Sequence, residues 1–292
     1  MVYTTHAQWD QQQLEPDHAV PISCHSHNDY WRRVPIISAL EAGCIGVEAD
    51  VWAYGGHLLI GHTRESLSPD RTFSSLYIEP LVQLLQQTNG ARSGTVHEKH
   101  AVGLFATDPT QTMVLLVDFK AAPDRIWPLF QRDLKALRDR GWLSYSQDGH
   151  VHMRPITIVV TGEIRRDAVI EEEISQCQDV FFDAPLRDLQ GDFFHAQNSF
   201  WASSSFRRVV GHLFIGTLKD KHIETIRRDV NEAHSRGLKL RYWGLPGWPR
   251  SRRDTVWKAL REEGVDIINV DDVKGAAGSG HLYRSPERAT VA

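Results

Sequence analysis

Two carboxylates, Glu48 and Asp50, stand two residues apart in "GVEADVW" at the end of a short apolar run. If that run is a strand, alternation turns both side chains to one face. Two acids on one face of so apolar a segment are costly unless something positive binds them. A hard divalent cation, with its preference for oxygen ligands, does so. A second run, "MVLLVDFK", closes the same way on Asp118 and Lys120, again two apart. Histidines complete the set. "CHSHNDYW" places His25, His27, Asn28 and Asp29 directly after the apolar "HAVPIS". "AYGGHLLIGH" turns at Gly55-Gly56 and delivers His62 back toward the first pair of acids. Three carboxylates for a cation, two histidines for proton transfer and a lysine for an anion suit phosphodiester cleavage. The metal neutralises phosphoryl oxygens while the histidines serve the attacking and leaving oxygens. Taken singly, each residue has a plainer reading: a solvated acid, a hydrogen-bonded histidine, a snorkelling lysine. Their joint occurrence at successive strand ends carries the argument.

Such residues need a scaffold that sets several strand ends side by side. Four times the chain runs from an amphipathic stretch through a glycine to a short apolar run, as in "IETIRRDVNEAHSRG" before "LKLRYW" and "TVWKALREEG" before "VDIINV". Each glycine stands where a helix would end, because it accepts the left-handed backbone of a C-terminal cap. The apolar runs are short and rich in valine and isoleucine, as buried parallel strands are. Strands are expected at 19–24, 44–51, 113–119, 156–161, 179–183, 238–243 and 266–270, with one more among 199–216. Seven or eight strands alternating with helices match an α/β fold of the (β/α)8 barrel type, whose active sites lie at the C-terminal strand ends. A doubly wound open sheet is the alternative, but no G-x-G-x-x-G follows the first strand. The expected organisation is an N-terminal extension over 1–18, one barrel domain over 19–274 and a flexible tail over 275–292. Composition makes 89–111 a long loop.

The 292 residues carry a formal net charge of −4, against the basic excess of a nucleic-acid binder. No apolar run reaches the roughly 18 to 20 residues of a transmembrane span. The start, "MVYTTHAQWDQQQLEPDH", lacks the pattern of a signal peptide. Cys24, Cys44 and Cys177 cannot all pair and lack zinc-motif spacing, so a cytoplasmic location is the expectation.

The string "HSHNDYWRRVPIISALEAGCIGVEADVW…LLIGH" resembles the altered inheritance of mitochondria protein 6 family, within the superfamily of phospholipase C-like phosphodiesterases. The resemblance continues through "LLVDFK", "ITIVVTGEI", "VFFDAPL", "NSFWASSSF" and "GVDIINVDD". That superfamily includes glycerophosphodiester phosphodiesterases and spider-venom sphingomyelinase D-like phospholipases. It implies a barrel of that type, one Mg²⁺ or Ca²⁺ ion and two catalytic histidines. Carried over by position, His25 and His62 are those histidines, and Glu48, Asp50 and Asp118 are the metal ligands. Lys120 and Trp243 match phosphate-site positions, and Asn28 matches an asparagine after the first histidine of the venom-like enzymes. His27 and Asp29 would orient His25 or line the pocket. The His-Arg-Gly and Pro-Glu-Asn-Thr motifs of glycerophosphodiester phosphodiesterases are absent, and with them the arginine that grips phosphate after the first histidine. The expected substrate is a small phosphodiester, a phospholipid or a relative of the glycerophosphodiesters. Attack by a substrate hydroxyl would give a cyclic phosphate, with 89–111 and "RYWGLPGW" closing the site against water.

Two rivals differ in kind. His25-x-His27 after a first strand resembles the entry to zinc-dependent amidohydrolases, with Asp271 or Asp272 as the late aspartate. A non-catalytic barrel binding a phosphorylated ligand is the other, although a pure binder has no use for proton-transfer groups.

Overall fold

The computed structural model describes residues 18–90, 101–164, 178–189, 191–211 and 218–282. In chain order the strands are β1 (Ile22–Ser26), β2 (Cys44–Tyr54), β3 (His57–Ile60), β4 (Met113–Phe119), β5 (Tyr145–Gln147) and β6 (His150–His152). They continue as β7 (Ile156–Gly162), β8 (Val180–Pro185), β9 (Ser199–Ser205), β10 (Lys239–Trp243) and β11 (Ile267–Val270). Eight of them pair in parallel in the order β2-β4-β7-β8-β9-β10-β11-β1, and β1 returns to β2. The ring closes. The expected (β/α)8 barrel is the fold.

The described helices are α1 (Ile37–Glu41), α2 (Glu79–Gly90), α3 (Pro123–Arg138), α4 (Phe206–Val210), α5 (Asp220–Ser235), α6 (Arg250–Glu262) and α7 (Val273–Ala277). Helix α3 starts on a proline, whose missing N–H costs nothing there. Its buried residues Ile126, Phe130, Leu134 and Leu137 recur every three or four positions, one stripe against the barrel. Phe130 meets Phe119 of β4 edge-on at 5.3 Å between ring centres. Gly43, Gly141, Gly237 and Gly264, just past the ends of α1, α3, α5 and α6, all have positive φ. The glycines do end helices.

Several sequence expectations need correction. β2 runs to Tyr54, past the expected boundary at 51, and folds back as an antiparallel hairpin with β3. The stretch around "DGHVHM", outside the expected strands, forms the β5–β6 hairpin. Part of the expected tail is ordered: α7 runs to Ala277, and Leu282 is fully buried. The described part of the expected loop, 101–111, packs at the opposite end of the barrel from the acids. Phe105 is buried there, Thr107 donates to the Ala19 carbonyl at 2.8 Å before β1, and Asp108 and Thr110 border strand-start residues Ile45 and Ile267. That segment is not a lid over the strand ends. Cys24 and Cys44 are joined by a disulfide between β1 and β2, with Cα atoms 4.7 Å apart. Disulfides belong to oxidising compartments, so the cysteines give no support to the expected cytoplasmic location. No described helix is long and apolar enough to cross a membrane. The residues 1–17 and 283–292 of the expected extension and tail lie outside the described residues.

Candidate active site

Closure of the barrel brings the C-terminal strand ends into one ring. On β1, His25 stands level with Gly46 of β2 and Asn269 of β11. A Cβ on residue 46 would lie 2.4 Å from His25 Nδ1, so glycine is what lets the imidazole lie across β2. The ring is fully buried and meets Trp201 of β9 at a right angle, 5.3 Å between centres. Neither of its nitrogens has a hydrogen-bond partner among the described residues. Burial pushes the His25 pKa well below the ordinary value, and the charges of Arg241 and His27 push the same way. The imidazole is therefore neutral at neutral pH, as a proton acceptor must be.

Glu48 and Asp50 of β2 and Asp118 of β4 come together as alternation requires, with Asp50 and Asp118 level in the paired strands. Each offers an oxygen, and the three oxygens lie within 4.8 Å of one another. Glu48 Oε2 and Asp50 Oδ1 are buried without hydrogen-bond partners among the described residues. Burial raises the pKa of Glu48 and of Asp50, opposed chiefly by Arg241 at the first and Lys120 at the second. Buried carboxylates converging on one point with unused lone pairs fit a hard cation, and all-oxygen donors favour Mg²⁺ or Ca²⁺ over zinc. Lys120 lies beside them, Nζ 2.5 Å from Asp118 and 3.2 Å from Asp50. Burial disfavours its charged form, but the two carboxylates more than compensate and raise its pKa.

The hairpin positions His62. The Gly61 N–H donates to the Asp50 carbonyl at 3.2 Å, which turns the next residue over the acids. His62 Nδ1 is 3.2 Å from Asp50 Oδ2 and 3.4 Å from the Tyr30 hydroxyl, and the side chain is 51% exposed. One histidine is therefore buried beside Glu48 and the other open to solvent beside Asp50.

The remaining expected residues divide. His27 Nδ1 pairs with Asp271 Oδ1 at 2.7 Å, and its Nε2 lies 4.0 Å from Glu48. Burial works against its charged form, yet Asp271 and Glu48 prevail and raise its pKa. Asn28 is buried in the left-handed region (φ 46°) and its Oδ1 accepts from the Tyr30 hydroxyl at 2.5 Å. Asp29 is engaged in its own loop: it accepts from Ser26 Oγ and from the Ile36 N–H, both at 2.7 Å. A structural role absorbs both its oxygens. Trp243 ends β10 on the rim of the barrel, partly exposed.

Sequence reading missed the cross-barrel partners. Arg241 of β10 is buried, donates to Asn269 Oδ1 at 2.9 Å and lies 3.7 Å from both Glu48 and Asp183 of β8. It also covers the Trp201 ring at 5.2 Å. An arginine does reach this site, from the seventh barrel strand instead of the loop after His25. Tyr30 was missed as well; its hydroxyl is 2.8 Å from Asp50 Oδ2. The signal for Arg241 was available, since it shares strand parity with Lys239 and Trp243 in "KLRYW". The carboxylate group is the one potential metal cluster among the described residues, and it contains no histidine, against an amidohydrolase-type zinc site.

The fold and strand-end residues define a phosphodiesterase-type barrel, and residues 15–183 match the AIM6-like phosphodiesterase domain. An altered inheritance of mitochondria protein 6 homolog from Arthroderma benhamiae is 38% identical over 269 residues, covering 89% of this chain and 84% of that protein. Altered inheritance of mitochondria protein 6 from Eremothecium gossypii is 38% identical, covering 89% and 70%. The chain belongs to the AIM6-like phosphodiesterase family. Among solved structures, a glycerophosphodiester phosphodiesterase from Parabacteroides distasonis aligns over 88% of this chain and 97% of its own, with a TM-score of 0.47 and 12% identity.

Proposed function

We propose that the chain is a metal-dependent phosphodiesterase acting on a small phosphodiester, a phospholipid or a relative of the glycerophosphodiesters. The observation that carries this reading is the set of buried polar atoms left without partners: both His25 nitrogens, Glu48 Oε2 and Asp50 Oδ1. Buried polar groups are nearly always satisfied, so such a convergence marks a place built for a ligand. Glu48, Asp50 and Asp118 hold one Mg²⁺ or Ca²⁺ ion, which when bound supplies positive charge for the phosphoryl oxygens. Lys120 and Arg241 add fixed positive charge beside the same oxygens, and Trp243 and Asn28 border the substrate. His25, neutral, accepts the proton of the attacking oxygen, or attacks phosphorus itself and displaces the leaving oxygen, after which water breaks the nitrogen–phosphorus bond. His62 gives a proton to the leaving oxygen. His27, fixed by Asp271, adds charge beside Glu48. Where the substrate has a hydroxyl next to the phosphate, that hydroxyl attacks in place of water and a cyclic phosphate forms.

The test is a metal-dependent screen against glycerophosphodiesters, lysophospholipids, sphingomyelin and cyclic phosphates, with His25→Asn in parallel. Turnover should need the added cation, and the substitution should lower kcat on the order of 10²- to 10⁴-fold. Activity of His25→Asn within a few-fold of the wild type removes His25 from the chemistry. Turnover that persists after exhaustive chelation removes the metal.

A further inference from the structure

Both acid-bearing strands continue outward past the carboxylates. On β2 the inward row of Glu48 and Asp50 carries on to Trp52 and Tyr54; after β4 the row of Asp118 and Lys120 carries on to Ala122. These continuations, with Leu59, Leu67 and Pro69, line a half-open cavity of about 520 Å³. At about 3.3 Å per strand residue, Trp52 lies about 7 Å beyond Asp50, within reach of a group attached to a phosphate at the carboxylates. The walls are held in place: Trp52 Nε1 donates to the Gly61 carbonyl at 2.7 Å, and Arg132 of α3 donates to the Gly56 carbonyl at the hairpin tip at 2.9 Å.

Two arginines border this apolar cavity, Arg64 and Arg125. Arg138, Arg227, Arg241 and Arg253 all pair with carboxylates, whereas neither of these two does so among the described residues. Arg64 instead lies over the Trp52 ring at 5.4 Å. Two guanidinium groups that form no salt bridge among the described residues, at the edge of an apolar cavity, are complementary to a ligand that is both apolar and anionic.

We propose that this cavity is the subsite for one ester substituent of the substrate, an aliphatic chain that bears a second acidic group. The chain lies against Trp52, Leu59 and Leu67, and the acid pairs with Arg64 and Arg125. The proposal rests on the phosphodiesterase reading and narrows it to phosphodiesters with an acidic, apolar substituent.

The experiment compares three synthetic 4-nitrophenyl phosphodiesters, whose second alcohol is methanol, decanol or 10-hydroxydecanoic acid. The wild type should show kcat/KM rising from methyl to decyl and by about a further tenfold to the carboxydecyl ester, the scale of one charge-assisted contact. In Arg64→Ala/Arg125→Ala the carboxydecyl ester should fall to the level of the decyl ester. Equal rates for these two esters in the wild type, or a preference that survives in the double variant, overturns the subsite. If no ester is turned over, the phosphodiesterase reading fails and calorimetry with decanoate decides the subsite alone. Binding that the double variant loses upholds it; no binding to the wild type overturns it.

Discussion

Gly46→Ala puts a single methyl group against the buried histidine. The new Cβ would sit 2.4 Å from His25 Nδ1 and 3.3 Å from Cγ and Cε1, where ordinary contact begins at 3.4 Å. The ring must therefore retreat by about 1 Å (3.4 − 2.4). It has little room to do so, because Trp201 stands against it edge-on and the barrel interior is filled. Overpacking of this kind costs about 1–3 kcal/mol of stability. A displacement of about 1 Å in a reacting group costs on the order of 10²-fold in rate. The expected variant is folded, melts at a lower temperature and loses about two orders of magnitude in kcat. Its Mg²⁺ affinity should stay close to wild type, since the three carboxylates are not touched. Circular dichroism, calorimetric Mg²⁺ titration and steady-state kinetics on the substrate found by screening read these separately. A folded variant with kcat within threefold of wild type would refute the idea that glycine at 46 exists to seat His25.

Asp50→Asn should weaken cation binding and abolish turnover at ordinary Mg²⁺ concentration, with partial recovery in excess metal. Full activity without added Mg²⁺ would contradict the ligand assignment. Burial raises the Asp29 pKa from 3.8 to about 6, so the folded state binds its proton more tightly than the unfolded chain does. Stability from this group is then fully present below pH 3.8 and is lost as pH rises through about 6, by about 3 kcal/mol at 1.36 kcal/mol per pH unit. Urea titrations across that window should show Asp29→Asn gaining on the wild type by about that amount; parallel curves would dismiss the effect. Reduction of Cys24–Cys44, which spans a sequence separation of 20, should lower stability by about 3 kcal/mol on loop entropy. An unchanged urea midpoint in reductant would show that the bond adds nothing.

What was legible in the sequence was local. Period-two pairs such as Glu48/Asp50 and Asp118/Lys120, and glycines past amphipathic stretches, report their geometry within a few residues, and the barrel followed from their repetition. Strand parity pointed to Arg241, but its partners were hidden because they depend on closure of the ring: Arg241 meets Glu48 and Asp183 only across the barrel interior. Asp29 shows the reverse difficulty. Its neighbours promised an open site, but the left-handed turn at Asn28 and the positive φ of Ile36 bend the loop around its carboxylate. Nor does cysteine spacing disclose a bond between adjacent strands, since Cys24 and Cys44 become neighbours only when β1 and β2 pair.

That bond also governs what a protease can do to the molecule. Between Cys24 and Cys44 the chain leaves the barrel through the exposed residues Trp31 and Arg33, a natural place for cleavage after a basic residue. A cut there would separate the segment carrying His25 from the one carrying Glu48 and Asp50 in sequence, yet the sulfur link would keep them one molecule. Nicked protein would run as a single band without reductant and as two with it. A molecule clipped at that loop would thus keep the segment bearing His25 in oxidising surroundings and hold it only by non-covalent pairing in reducing ones.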